Sequence, residues 1–211
     1  MALSPEQIAK NKETFLQLLS QINVEGADIP GLINFLSTSD FFEAPASTIY
    51  HSSFEGGLCH HSLNVYNELV RLANIYAPGK YDANSLLIVG LLHDISKTNF
   101  YEKYIMNKKV YLPSGTKHDN QGRFDWFAQE AYKVKAAEER FIGSEHGTNS
   151  MFLISKYIPM TYEESVAVIN HHFINDTNGL IKDISAIYNK YSLATLVHLA
   201  DMAAVYLLEN I

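Results

Sequence analysis

Gly90-Leu91-Leu92-His93-Asp94-Ile95-Ser96-Lys97 places an imidazole and a carboxylate side by side at the end of an apolar run. Both groups are costly to bury without a partner, and both are ligands for divalent metals. The run itself reads as the end of a buried helix, opened by Asp82 as a cap and carried through Leu86, Leu87, Val89 and Leu92. A helix that ends in His-Asp inside a core needs other helices around it to supply the remaining polar partners. The reading of this stretch therefore decides the fold: a bundle of helices converging on His93-Asp94.

Working outward, the apolar spacing supports further helices. Leu58, His61, Val65, Leu69, Leu72 and Tyr76 recur at three- and four-residue steps, which puts His61 on an inward face and turns His60 about 100° away from it. Ser4-Pro5 reads as the start of a helix carrying Phe15, Leu18, Leu19 and Ile22, and a short helix is expected over residues 30–37. Helical signals return from His146-Gly147 to Tyr157. Thr161 with Glu164 forms a capping box that opens a helix running to His171-His172. A last helix from Ser192 carries Leu196, Leu199, Ala200 and Ala203, with Asp201 in its middle.

Residues 98–143 differ. The helical period fades, and Lys108-Lys109-Val110-Tyr111-Leu112 before Pro113-Ser114-Gly115 suggests a strand and turn. A second strand is expected within residues 123–127, with residues 128–140 open to either strand or helix. The segment is read as an insert, a β-hairpin laid over the core. Its Tyr101, Lys103, Tyr104, Lys108, Lys109, Tyr111 and Arg123 suit either a solvated hairpin or a lid that stacks a base and holds phosphates. The expected fold class is all-α with this small insert.

The 211 residues fit one domain, and a 47% share of hydrophobic residues allows a sizeable core. A net charge of −7 argues against binding long nucleic acids by broad charge neutralisation. The single cysteine, Cys59, excludes an intrachain disulfide and reads as a small packed residue. The start lacks a signal-peptide pattern and no apolar run reaches the ~18 residues of a bilayer span, so a cytoplasmic protein without membrane contact is expected. Nothing in the sequence speaks to oligomeric state.

His61, His93-Asp94, His146, His171-His172 and Asp201 thus lie in or at the end of separate helical segments. As isolated residues, His61 and His146 read as satisfied core histidines, and Asp201 as an ion-pair partner of His198 one turn earlier. Taken together, mixed imidazole and carboxylate ligands suit Mn, Fe, Co, Ni or Zn, whereas carboxylates alone would favour Mg. His51 and His118 read as exposed loop histidines. Lys97 reads either as a lysine favouring a helix C-terminus or as a phosphate contact.

The order of these residues resembles the HD-domain metal-dependent phosphohydrolases. Gly56-Gly57-Leu58-Cys59-His60-His61 matches the first histidine, Leu92-His93-Asp94-Ile95-Ser96-Lys97 the central motif, Glu145-His146-Gly147 and Asn170-His171-His172 the two added histidines, and Leu199-Ala200-Asp201 the final aspartate. Ser96 stands where the family usually has glycine. The resemblance spans residues 56–205 as the core of a single domain covering 1–211, with 1–55 as an N-terminal helical extension and 98–143 as the insert. It implies one or two divalent ions, with His61, His93, Asp94 and Asp201 on one, His146, His171 and again Asp94 on the other, and His172 as an outer neighbour or a third-metal ligand. It also implies a water nucleophile, a catalytic role for Asp94, Lys97 against phosphate oxygens, and a nucleotide or other small phosphorylated substrate. The same six ligands are similar to those of the inositol-oxygenase relatives, which use a mixed-valent iron pair. A non-catalytic nucleotide-binding sensor is the remaining alternative.

Overall fold

A computed structural model describes residues 2–141, 145–172 and 184–209. Among these lie α1 (Pro5–Leu19), α2 (Ile29–Thr38), α3 (Gly57–Tyr76), α4 (Ala83–Leu92), β1 (Tyr101–Tyr111), β2 (Lys117–Asp119), β3 (Gly122–Val134), α5 (His146–Ser155), α6 (Tyr162–Ile169), α7 (Ile184–Lys190) and α8 (Ser192–Ala203). Eight α-helices accompany a three-stranded antiparallel sheet of order β1-β3-β2. The fold is therefore mixed α and β, which corrects the all-α expectation. β1 and β3 pair along a continuous register from Tyr101 opposite Val134 to Tyr111 opposite Phe124, far longer than the short strands expected from sequence. Residues 128–134 join β3 because their pairing with β1 outweighs a local preference that was compatible with helix. Residues 142 and 143 of the insert lie outside the described residues.

The helix starts follow local chemistry. Ser4 and Asp28 accept backbone N–H groups from Gln7 and Gly31, Asp82 accepts that of Ser85, and Thr161 and Glu164 close a full capping box. Leu87 to Leu92 of α4 are all buried. A helix apolar all round belongs in the middle of a core, and α4 packs against α1, α3 and α6. α8 covers α3 and α6 from the other side. No single helix among the described residues is long and apolar enough to cross a membrane.

Two glycines set the helix spacing that the site depends on. A methyl group on Gly90 would stand 2.8 Å from the Cα of Tyr66, so only glycine lets α4 approach α3 this closely. One on Gly147 would stand 2.6 Å from the carbonyl oxygen of Ile169, which holds α5 against α6 in the same way. The first contact brings His93 to His61, the second His146 to His171.

The sheet stands away from the helices except at its base. There the Tyr101 hydroxyl donates to the Ala46 carbonyl at 3.4 Å and Lys103 pairs with Glu55 at 2.6 Å. Farther out, Ile105, Trp126 and Phe127 are exposed. The basic and aromatic residues of the ribbon answer one another: Lys109 lies 4.0 Å over Phe124 and pairs with Asp119, and Lys133 pairs with Glu102. Among the described residues of the insert, Tyr101 lies nearest the site, where Lys97 and Asp94 act on its hydroxyl.

Candidate metal centre

Each site residue reaches the centre from a different element. His61 comes from the buried face of α3, His93 from the C-cap of α4, and Asp94 from the following residue. Lys97 closes the 3-10 turn Ile95–Lys97. His146 begins α5, His171 and His172 follow α6, and Asp201 lies within α8. Ser96 ties the turn to α5: its hydroxyl donates to the His146 carbonyl at 2.8 Å, and its N–H donates to Ser150. A glycine there would lack the first of these bonds.

The two oxygens of Asp94 face two separate sets of ligands. Oδ2 lies 3.6 Å from the Nε2 atoms of both His61 and His93, and His61 Nε2 lies 3.2 Å from Asp201 Oδ1. Oδ1 lies 3.4 Å from His171 Nε2 and 3.8 Å from His146 Nε2. Within each set the imidazoles approach closely, 3.3 Å between the Nε2 atoms of His61 and His93 and 3.2 Å between those of His146 and His171. His61, His93, Asp94 and His171 are fully buried. The side chains of His146 and His172 are about a third exposed, at 32% and 36%, so the centre opens to solvent on their side.

The outward nitrogens show which way the lone pairs point. His93 Nδ1 donates to the Gly90 carbonyl at 3.0 Å and His171 Nδ1 to the Val168 carbonyl at 2.7 Å. A carbonyl can only accept, so the proton sits on Nδ1 and each Nε2 presents a lone pair inward. His61 Nδ1 meets the carboxylate of Glu209 at 3.0 Å, the carboxylate–imidazole arrangement that orients metal-ligating histidines. Asp94 Oδ1 and Asp201 Oδ1 are buried with no hydrogen-bond partner among the described residues. Orphaned carboxylate oxygens facing convergent lone pairs fit a cation. Two ligand atoms about 2.1 Å from one ion stand about 3.0–3.4 Å apart at ordinary coordination angles, the spacing seen between the paired imidazoles.

The electrostatics agree. Without a cation the centre gathers positive charge from the protein itself. Burial opposes a charge on His61, but the nearby carboxylates of Asp201 and Glu209 prevail and hold it up to about 10. Burial likewise disfavours the charged forms of Asp94 and Lys97. Lys97, 2.7 Å from Oδ2, and His93 nevertheless keep Asp94 well below the usual carboxylate range, and Asp94 in return raises Lys97. Burial pushes His93 and His146 down to about 3 and His172 down to about 4, so these imidazoles stay neutral and able to ligate well below neutral pH.

A pH dependence follows. His51, His93, His146 and His172 all bind protons more weakly in the fold than in the unfolded chain, whose histidines titrate near 6.5. Their contribution to stability is complete above that value and is lost as the pH falls towards 4. His61 has the opposite sign: its contribution is complete below 6.5 and is lost as the pH rises through about 10. The metal-free protein should therefore melt at its highest temperature near pH 6.5. Thermal scans in chelator from pH 4 to 10 check this, and a midpoint that keeps rising below pH 6 would contradict it.

Sequence reasoning missed two members. Glu209 accepts from Ser52 and Asn64 as well as His61, at 2.7 and 3.0 Å for the first two. His51, expected to be exposed, is buried beside His61 with ring centroids 4.7 Å apart and its Nε2 unpartnered among the described residues. The loop 39–56 carries it inward by burying Phe41, Phe42, Ala44 and Ala46. His118 is exposed, but on strand β2 rather than in a loop. His60 turns towards α1 and meets Asn11, as its angle on the helix predicts. His198 Nδ1 donates to the His171 carbonyl at 2.8 Å and stacks on Tyr188, leaving Asp201 to His61 and His172.

Glu209→Gln should keep the hydrogen bond to His61 while removing its charge, and Glu209→Ala should remove both. The alanine variant is expected to weaken metal binding by about 10- to 100-fold, the usual effect of losing a carboxylate behind a histidine ligand, with the glutamine variant between it and the parent. Equilibrium titration with Mn or Zn measures the effect, and unchanged affinity in Glu209→Ala would remove Glu209 from the centre.

Comparisons with family models, with curated proteins and with solved structures found no match for the chain. The clusters of histidine and aspartate that could hold a metal ion stand on the geometry alone.

Proposed function

We propose that the protein is a single-domain, metal-dependent phosphohydrolase of the HD-domain kind, acting on a small phosphoester in the cytoplasm. The observation that carries this reading is Asp94, whose two oxygens each face the Nε2 atoms of a separate pair of imidazoles. In this reading His61, His93, Asp94 and Asp201 hold one divalent ion and His146, His171 and Asp94 a second. Such a pair supplies a water of lowered pKa and neutralises charge on phosphate oxygens.

The protein's own groups do the rest. Nδ1 hydrogen bonds fix the imidazoles before substrate arrives, so orientation is established in the free protein. Lys97 carries a charge beside Asp94 and can pass its ammonium to a phosphate oxygen as negative charge builds there. His146 and His172 line the open side, where substrate enters. In the reaction the water oxygen bonds phosphorus as the bond to the alcohol oxygen breaks. One water proton is released and the departing oxygen takes up another, giving phosphate and an alcohol.

The net charge of −7 favours a small substrate over long nucleic acid. The test is phosphate release from a panel of nucleotides and sugar phosphates, with metal-stripped protein reloaded in turn with Mn, Fe, Co, Ni, Zn or Mg. Turnover that disappears with chelator is expected. Nucleotide binding with no turnover on any metal would make the protein a sensor. Oxygen consumption by the iron form without phosphate release would make it an oxygenase.

A further inference from the structure

A pocket of about 480 Å³ opens onto the centre, lined by Ile49, Tyr50, His51, His172, Asp201, Met202, Val205 and Tyr206. It shares Asp201 and His172 with the metal centre, so a group lying in it is continuous with one bound there. Its outer wall is apolar and aromatic. Tyr50 and Tyr206 are 80% and 62% exposed, and Ile49 and Met202 are exposed as well. Large side chains held open to solvent at the mouth of a polar centre are those a ligand covers. Among the described residues, no lysine or arginine lines the pocket.

Charge sorts the possible substrates. A nucleoside di- or triphosphate brings phosphate groups beyond the reacting one, and each needs a cation or a set of N–H donors. This pocket offers Asp201, the imidazoles of His51 and His172, and hydrocarbon. A second phosphate here would lose its hydration and meet an acidic wall. A flat uncharged ring would instead cover the exposed tyrosine faces and gain both stacking and burial.

We propose that the organic part of the substrate is a flat, uncharged ring seated against Tyr50 and Tyr206, making the substrate class phosphomonoesters of aromatic or heteroaromatic alcohols rather than polyphosphates. This deepens the hydrolase reading and rests on it for the phosphate end.

The test separates the two. Binding to the Mn-loaded protein is measured calorimetrically with phenylphosphonate, methylphosphonate and inorganic diphosphate, none of which presents a phosphomonoester to be cleaved. Phenylphosphonate should bind about 30-fold more tightly than methylphosphonate, the value of burying one ring. Tyr50→Ala with Tyr206→Ala should reduce that ratio to about 3 or below, leaving methylphosphonate unchanged, and both positions are exposed enough for the fold to be kept. Equal binding of the two phosphonates, tighter binding of diphosphate, or a ratio unmoved by the tyrosine changes would each overturn the proposal. Phenyl phosphate and methyl phosphate are then tried as substrates. The expected phosphonate preference without release of phosphate from either ester would sink the hydrolase reading and leave the pocket assignment standing. Release from both at equal kcat/KM, with equal phosphonate binding, would do the reverse.

Discussion

Asp94→Ala should bind no divalent ion on either side of the centre and release no measurable phosphate. The expectation follows from the placement of one carboxylate between two ligand sets, with Oδ2 towards His61 and His93 and Oδ1 towards His146 and His171. No other carboxylate among the described site residues faces both sets, so removing Asp94 leaves imidazoles on one side and imidazoles with Asp201 on the other. Loss of the cations removes several kcal/mol of charge stabilisation, a rate loss on the order of 10³-fold or more. The substitution also strips Lys97 of its buried partner, and breaking such a pair costs about 3–5 kcal/mol. Asp94→Asn is therefore made in parallel, because an amide of the same shape can still accept from Lys97. Metal content measured on folded Asp94→Asn protein should fall from that of the parent to near zero, and a full complement of metal would contradict the account.

Lys97→Ala should behave in the opposite way, keeping its metal while losing turnover. The ammonium lies 2.7 Å from Asp94 Oδ2, with only 11% of the side chain exposed, and Asp94 holds it charged. It competes with a cation for that oxygen, so its removal should leave metal affinity unchanged or raised. A preorganised charge aimed at a developing oxyanion is worth about 10²–10³ in kcat, and that is the loss expected from steady-state kinetics at saturating metal. A further signature is thermal. Without Lys97 the metal-free protein carries an unpaired buried carboxylate, so metal addition should raise its melting temperature more than it raises that of the parent. Metal lost together with activity would make Lys97 a structural partner of Asp94 and nothing more.

Much of this centre is visible in the sequence because helices advertise their inward faces. His61 falls in register with Val65 and Leu69, and Thr161 with Glu164 announces the helix that ends at His171. Gly90 and Gly147 were present in the quoted motifs, but their role as contact points between helices needs the partner helix to be known. Glu209 was hidden by geometry. A straight α-helix places it about 80° round from Asp201, whereas the π-helical turn Ala204–Leu208 changes the rotation per residue and brings its carboxylate to His61 Nδ1. π turns of this kind are inserted where function needs a residue re-aimed, and a second carboxylate eight residues beyond Asp201 was the one available signal. His51 was misjudged because a polar-looking loop can still be anchored by Phe41 and Phe42. The sheet was underestimated because strand length there is decided by pairing between residues more than twenty positions apart, which local preference does not report.

The most direct measurement is anomalous scattering from crystals of the protein loaded with Mn. Two peaks are predicted, one against His61, His93 and Asp201 and one against His146 and His171, with Asp94 between them touching both. A single peak remote from Asp94, or none at saturating metal, would contradict the claim that this carboxylate organises the centre.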